Sequence, residues 1–136
     1  AGDAAGGAAT LHELGIVALR RADWGKAASL LRRSLDAQRA LRGALGTPSR
    51  GEAATLHQLA VAALSSRPAR LEEAEGLLRE ALALEDKGSV GLGGRAATLQ
   101  QLARVAERRG DRTAALAHLQ DALTLHRRAY GEGVPH

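Results

Sequence analysis

The sequence has no cysteine, no methionine and no phenylalanine, and it has one tryptophan (Trp24) and one tyrosine (Tyr130). The absence of cysteine excludes disulfide bonds and thiolate metal sites. The near absence of aromatic side chains leaves Ala, Leu and Val to form the core, which favours closely approaching helices over a sheet sandwich. The composition therefore predicts an all-α fold, and 136 residues correspond to about one domain.

Long apolar runs and a strong charge excess are also absent. No run of eighteen apolar residues occurs, so we predict no membrane insertion. No signal peptide is visible, which favours an intracellular protein, cytoplasmic or organellar. The net charge of +4 is modest for a chain of this length. Contact with nucleic acid through pairs of Arg residues is one interpretation, but the chain has few aromatic rings on which bases could stack.

The sequence Ala-Ala-Thr-Leu occurs three times, at 8–11, 53–56 and 96–99. The longer copies are AATLHELG, AATLHQLA and AATLQQLA, and their starts are 45 and then 43 residues apart. Each copy opens a stretch in which Leu and Ala recur at helical spacing. A short break and a second helical stretch follow each time. A two-helix unit that recurs at this period is typical of an α-solenoid, in which each pair buries its apolar face against the next.

The helix boundaries follow from capping residues. Asp23 and Asp111 are predicted N-caps of the second helices of the first and third copies, and Gly110 is a predicted helix stop. The sequence thus predicts six helices in three helix–turn–helix repeats, at about 8–52, 53–95 and 96–131. Residues 1–7 are predicted to be a flexible leader, and residues 132–136 a truncated linker or tail.

The residues at fixed places in each copy resemble the tetratricopeptide repeat. That pattern has a large apolar residue at position four, Leu-Gly or Leu-Ala at seven and eight, and small residues at eleven and twenty. The first copy fills these places with Leu11, Leu14-Gly15, Ala18 and Ala27, and the other copies match. The long unit is similar to that of kinesin light chains and of the cell-polarity adaptor LGN. The resemblance implies a right-handed superhelical arc that acts as a protein-interaction scaffold.

No catalytic constellation is present. His12-Glu13 begins like the zinc-protease motif HExxH, but Ile16 stands where the second His should be. His12 and His57 occupy equivalent places, whereas the third copy has Gln100, which leaves too few ligands for a metal. We therefore predict no enzymatic activity, no cofactor and no metal site.

A partner is expected in the concave groove that first helices line in such an array. The candidate residues follow the first Leu of each copy, at positions five, six, nine, twelve and thirteen. They are His12, Glu13, Ile16, Arg20, His57, Gln58, Val61, Leu64, Gln100, Gln101, Arg104 and Arg108. Kinesin light chains carry Asn at positions five and six, where this chain has other polar pairs. Arg104 and Arg108 lie one helical turn apart, so together they could hold a carboxylate or phosphate.

Two interpretations of this groove remain open. In the first, the chain is a scaffold or adaptor that binds a protein or peptide segment, with acidic partners favoured and no small-molecule substrate. In the second, the apolar members pack against a further repeat or a capping helix and the Arg residues pair with Glu107. The chain would then be a structural subunit of a larger, organellar or cytoskeletal assembly.

Overall fold

A computed structural model describes residues 3–46, 50–86 and 92–130. These residues form six α-helices: α1 (Asp3–Arg20), α2 (Trp24–Leu45), α3 (Arg50–Ser65), α4 (Leu71–Asp86), α5 (Leu92–Arg108) and α6 (Arg112–Tyr130). Helices α1 and α2, α3 and α4, and α5 and α6 pack as pairs, while α2 on α3 and α4 on α5 join successive pairs. The all-α fold of three helix–turn–helix repeats is confirmed. The right-handed arc stays a prediction.

The core repeats the same small set of side chains in each unit. Ala27 and Ala74, at position twenty of their repeats, are fully buried. Leu31 and Leu78, one turn further on, are also fully buried. Small residues bring the helices close together, and Leu fills the space between them. Helices α1 and α2 approach closely at Gly15, where an added Cβ would lie 2.5 Å from Cγ of Leu31.

The predicted helix caps are confirmed. The Asp23 carboxylate accepts a hydrogen bond from the backbone N–H of Lys26 at 3.2 Å, and the Asp111 carboxylate accepts one from that of Ala114 at 3.0 Å. Gly110 ends α5 in the left-handed region, with φ of 82°. Ala22 occupies the same place after α1 with φ of 59°, a conformation that is costly for a residue with a side chain.

Several helix boundaries differ from the sequence-based prediction. Helix α1 begins at Asp3, five residues before the start predicted at Ala8. The buried Ser34 hydroxyl donates a hydrogen bond to the Ala8 carbonyl at 2.7 Å, which holds this end of α1 against α2. The segments between the repeats are short: α2 ends at Leu45 and α3 begins at Arg50, and α4 ends at Asp86 and α5 begins at Leu92. The predicted tail at 132–136 lies outside the described residues.

Apolar residues at the two ends of the array are more exposed than the pattern predicted. Leu14 on α1 is 50% exposed, and Leu119 and Leu123 on α6 are 47% and 51% exposed. All three stand at positions that are core positions in other copies. The physical reason is that α1 has no preceding repeat and α6 no following repeat in the described part of the chain.

Candidate functional site

Five of the twelve predicted groove residues line one cavity between α3 and α5. The cavity has a volume of about 250 Å³. Val61 and Leu64 come from α3 and supply its apolar wall. Gln101, Arg104 and Arg108 come from α5, and Ser65 completes the lining. Positions nine, twelve and thirteen of α3 meet positions six, nine and thirteen of α5 here because the repeats stack in register.

A larger cavity of about 680 Å³ adjoins the first one at the turn edge of the array. The two cavities share Leu64, Ser65 and Arg108. The larger cavity is also lined by Trp24, the first residue of α2, and by the turn of the second repeat from Ser66 to Ala69. Arg67, in that turn, brings a third guanidinium to the pair of cavities. Together they form a continuous concave surface with one indole, three cationic groups and the apolar side chains of Val61, Leu64, Pro68 and Ala69.

Among the described residues, no carboxylate lines either cavity. Arg108 donates a hydrogen bond from a guanidinium nitrogen to the Leu64 carbonyl at 3.1 Å, which holds its side chain across the gap between α5 and α3. Neither Arg104 nor Arg108 forms an ion pair within residues 3–46, 50–86 and 92–130. The second interpretation of the groove, in which these Arg residues pair with Glu107 and other acids, therefore has no such ion pair among the described residues. The surface is electropositive and suits a negatively charged group beside an apolar one.

His12 and His57 contact the next repeat rather than these cavities. His12 Nδ1 lies 2.8 Å from Oγ1 of Thr55, and His57 Nε2 lies 2.5 Å from Oγ1 of Thr98. Both Thr residues are fully buried. We call this pair of contacts the His–Thr ladder. It joins position five of one repeat to position three of the next.

The second step of the His–Thr ladder has a defined direction. The Thr98 hydroxyl donates its own proton to the Gly94 carbonyl at 3.1 Å, so it accepts a hydrogen bond from the Nε2–H group of His57. Burial lowers the pKa of His57 below its ordinary value of 6.5, because the charged imidazolium would lose hydration. The neutral tautomer with hydrogen on Nε2 therefore fits this contact.

The other predicted residues lie apart from the two cavities. Glu13, Arg20 and Gln100 are exposed, while Ile16 and Gln58 are half-buried. None of these five lines either cavity. The structure thus concentrates the candidate surface on the second and third repeats.

Sequence reasoning missed two features of this region. The first is that Trp24 lines the larger cavity together with the turn of the second repeat, which no repeated motif predicts. The second is that the Thr of the Ala-Ala-Thr-Leu motif contacts a His of the preceding repeat, at Thr55 and Thr98. The sequence did contain a signal for this contact. The two copies that are followed by a further copy both have His at position five, and the next copy has Thr at position three.

Two further observations on the described residues concern metal ions and membranes. No group of three or more His, Asp or Glu side chains within them is placed to hold a metal ion. None of the six helices is long and apolar enough to cross a membrane.

Known proteins with the same fold were found by comparing both the sequence and the structure. The model of a tetratricopeptide repeat family matches residues 95–136. No curated protein matches the sequence. The structure is similar to BtubC (BKLC) from P. vanneervenii, with a TM-score of 0.81 and 19% identity over 95% of this chain and 50% of that one. It is also similar to a protein from Podosopora anserina described as a kinesin light chain with nearly identical TPR-like repeats.

That protein gives a TM-score of 0.70 and 22% identity over 90% of this chain and 56% of the other, and a variant of the same protein gives 0.71 with the same identity and coverage. The present chain thus spans about half the length of these structures. The repeated motif, the six paired helices and the family match agree. Residues 95–136 match a tetratricopeptide repeat family, and the fold of the described chain is that of tetratricopeptide-like helix–turn–helix repeats, with kinesin light chain-like repeat arrays as structural neighbours.

Proposed function

We propose that this chain is a protein-interaction scaffold that binds an acidic peptide or helical segment on the concave surface between α3 and α5. The observation that carries the proposal is the pair of adjoining cavities, whose described lining includes cationic and apolar side chains but no carboxylate. Tetratricopeptide repeats are generally interaction modules, and concave solenoid surfaces are commonly the binding faces.

The chemistry of the surface defines the expected partner. Arg104 and Arg108 lie on one face of α5, one turn apart, and each guanidinium can donate two parallel hydrogen bonds to a carboxylate. Val61 is 36% exposed beside them and offers an apolar contact. The smaller cavity, at about 250 Å³, is below the usual size for a drug-like ligand and suits a single side chain. A segment with an aliphatic residue flanked by Asp or Glu meets both requirements.

The test is a selection from a displayed library of random 12-residue peptides, using the 136-residue chain as bait. We expect the recovered peptides to be enriched in Asp or Glu beside Leu, Ile or Val. Affinity is then measured by fluorescence polarisation for the chain and for the double variant Arg104→Glu/Arg108→Glu. Reversing two charges that contact the peptide should weaken binding by about 100-fold or more, since each charged contact contributes roughly 1.5–3 kcal/mol.

The control is Arg33→Glu/Arg127→Glu, which makes the same change in net charge at exposed positions on second helices. It should bind within about threefold of the parent chain at 150 mM salt, where charges beyond roughly 8 Å are largely screened. Circular dichroism verifies that both variants stay folded. Equal affinities for the parent and the Arg104/Arg108 variant would refute the groove assignment.

A second function, as a permanently packed structural subunit, is favoured by a different observation. Large apolar side chains are exposed at both ends of the array, including Leu14 on α1 and Leu116 on α6. A subunit of this kind would not stay soluble when isolated at micromolar concentration. A soluble chain that selects no peptide would leave neither function standing.

A further inference from the structure

The turn of the second repeat is longer than the turns of the other two. Three residues separate α1 from α2, and three separate α5 from α6, whereas five residues, 66–70, separate α3 from α4. The longer turn contains Arg67 and Pro68, and both line the larger cavity. Helix pairing does not require the added length, since the helices of the first and third repeats pack together without it.

The charge of this turn also differs from that of the other two. The residue directly before the second helix is Asp23 in the first repeat and Asp111 in the third, and each carboxylate caps its helix. In the second repeat that residue is Arg70. Residues 66–70 thus contain two Arg residues and no acidic residue. The second repeat has a cationic turn where the others have an acidic one.

The Arg residues around the larger cavity fall into two groups. Arg70 and Arg109 are outside its lining, and each has a carboxylate of α4 as an ion-pair partner, at 3.5 and 3.1 Å. Arg67 and Arg108 line the cavity, and neither forms an ion pair with any residue that the structure describes. The chain therefore neutralises the neighbouring Arg residues but not the two that line the cavity.

Both cationic residues of the lining are held in place by hydrogen bonds. The backbone N–H groups of Ser66 and Arg70 donate to carbonyl groups of α3 at 3.0 and 2.9 Å, so the turn is anchored on both sides of Arg67. Arg108 is held from α5 by its hydrogen bond to the Leu64 carbonyl. Because a guanidinium has five N–H donors, this bond leaves Arg108 donors for a ligand.

The polar side chains of the larger cavity are rich in hydrogen-bond donors. Arg67, Arg108 and Trp24 line it, and guanidinium and indole groups donate but do not accept. The Ser65 hydroxyl can donate as well. A phosphate monoester has three acceptor oxygens and a charge of about −1.5 to −2 at pH 7. A carboxylate has two oxygens and a single charge, so it would neutralise one of the two cations and leave the other.

We propose that the larger cavity binds a phosphorylated side chain of the partner segment, with the phosphate between Arg67 and Arg108. This inference rests on the proposed function, because the phosphorylated residue belongs to the segment bound between α3 and α5. The cavity volume of about 680 Å³ has room for a phosphorylated side chain and the adjoining backbone. Arg108 lines both cavities, so one segment can place an aliphatic residue in the smaller cavity and a phosphate in the larger one.

A phosphoserine scan tests the proposal. The probe is the tightest-binding peptide without Trp from the displayed library, synthesised with phosphoserine at each position in turn and with Ser at the same positions. At one position or a neighbouring pair, phosphoserine should bind at least about tenfold more tightly than the library peptide, since it adds a charge-assisted hydrogen bond. Trp24 is the only tryptophan of the chain and lines the larger cavity, so its emission should change when that phosphopeptide binds.

Two variants locate the phosphate. The measured quantity is the affinity for the phosphopeptide divided by the affinity for the library peptide. Arg67→Gln should reduce this ratio to about one, because it removes one of the two phosphate contacts. The control Arg33→Gln removes the same charge at an exposed position on α2 and should keep the ratio of the parent chain. Circular dichroism checks that both variants are folded.

Several results would overturn the inference. If phosphoserine improves binding at no position while Arg104→Glu/Arg108→Glu still weakens binding of the library peptide, the inference fails and the proposed function stands. A ratio that Arg67→Gln leaves unchanged would place the phosphate elsewhere and also refute it. So would a 12-nucleotide single-stranded DNA or inorganic phosphate that binds as tightly as the phosphopeptide, because the cavity would then recognise phosphate without a peptide. A library that yields no binding peptide would remove both proposals.

Discussion

Gly15 on α1 offers a sharp test of how closely the first repeat is packed. In the second and third copies the corresponding residues are Ala60 and Ala103, so Ala is compatible with the motif. In the first copy, an added Cβ would lie 2.5 Å from Cγ and 2.7 Å from Cδ2 of Leu31. Leu31 is fully buried, so its side chain cannot move into solvent. We predict that Gly15→Ala destabilises the chain.

The magnitude follows from two opposing effects. Replacing Gly by Ala in the middle of a helix stabilises it by about 1 kcal/mol, because Ala has less backbone freedom to lose on folding. Forcing a methyl group into a well-packed core costs about 1–3 kcal/mol. The net effect should be a loss of about 1 kcal/mol. For a domain of this size we expect a fall in Tm of roughly 3–4 °C.

Gly76, in α4, is the matched control. It is also inside a helix, but nothing lies within 4 Å of its added Cβ. Gly76→Ala should therefore show only the gain in helix propensity, and it should stabilise the chain by about 1 kcal/mol. Urea unfolding followed by circular dichroism at 222 nm measures both changes. In the background Leu31→Val, which shortens the opposing side chain, the cost of Gly15→Ala should shrink by about 1 kcal/mol. If Gly15→Ala stabilised the chain as much as Gly76→Ala does, the close approach of α1 and α2 would be disproved.

Two further predictions concern acid sensitivity and a strained turn. The pKa of His57 is lower in the folded chain than in the unfolded chain, so its contribution to the free energy of unfolding is full above pH 6.5 and is lost as the pH falls below that value. The variant His57→Gln keeps a hydrogen-bond donor for Thr98 and should remove this part of the loss, measured by urea unfolding between pH 7.5 and 5. An unchanged dependence of the free energy of unfolding on pH would refute the assignment. Ala22→Gly should raise the free energy of unfolding by about 1 kcal/mol by relieving a positive φ, whereas Gly110→Ala at the same place in the third repeat should lower it by about 1 kcal/mol. Effects of equal sign in thermal melts of these two variants would contradict that explanation.

The repeat architecture could be predicted from the sequence because several independent signals predicted the same helices and turns. The motif spacing, the alternation of helix and turn, the Asp23 and Asp111 caps and the Gly110 stop all indicated the same three units. The start of α1 was missed because Gly6 and Gly7 have low helix propensity, and propensity yields to tertiary contacts. Here the contact is the Ser34 hydroxyl on the Ala8 carbonyl.

The candidate site was predictable only in part. Val61, Leu64, Arg104 and Arg108 lie together because stacked first helices are in register. This could be predicted, since all four residues stand at positions nine to thirteen of their repeats. The hydrogen bonds of His12 and His57 did not follow, because a half-buried polar residue on a first helix can face either a groove or the next helix. The exposure of Leu119 did not follow either, since periodicity shows which face is apolar but not whether a neighbour covers it.

Two ion pairs on the second helices concern how a chain of similar repeat units avoids packing the wrong repeats together. Arg32 pairs with Glu73 at 2.9 Å and Arg39 with Glu80, so both pairs join α2 to α4. At the places of Glu73 and Glu80 the third repeat has Ala114 and Asp121. Exposed pairs contribute little, about 0–1 kcal/mol each. The second and third repeats share the Ala-Ala-Thr-Leu motif, so this difference contributes to a preference of the folding chain for docking the second repeat, rather than the third, onto the first.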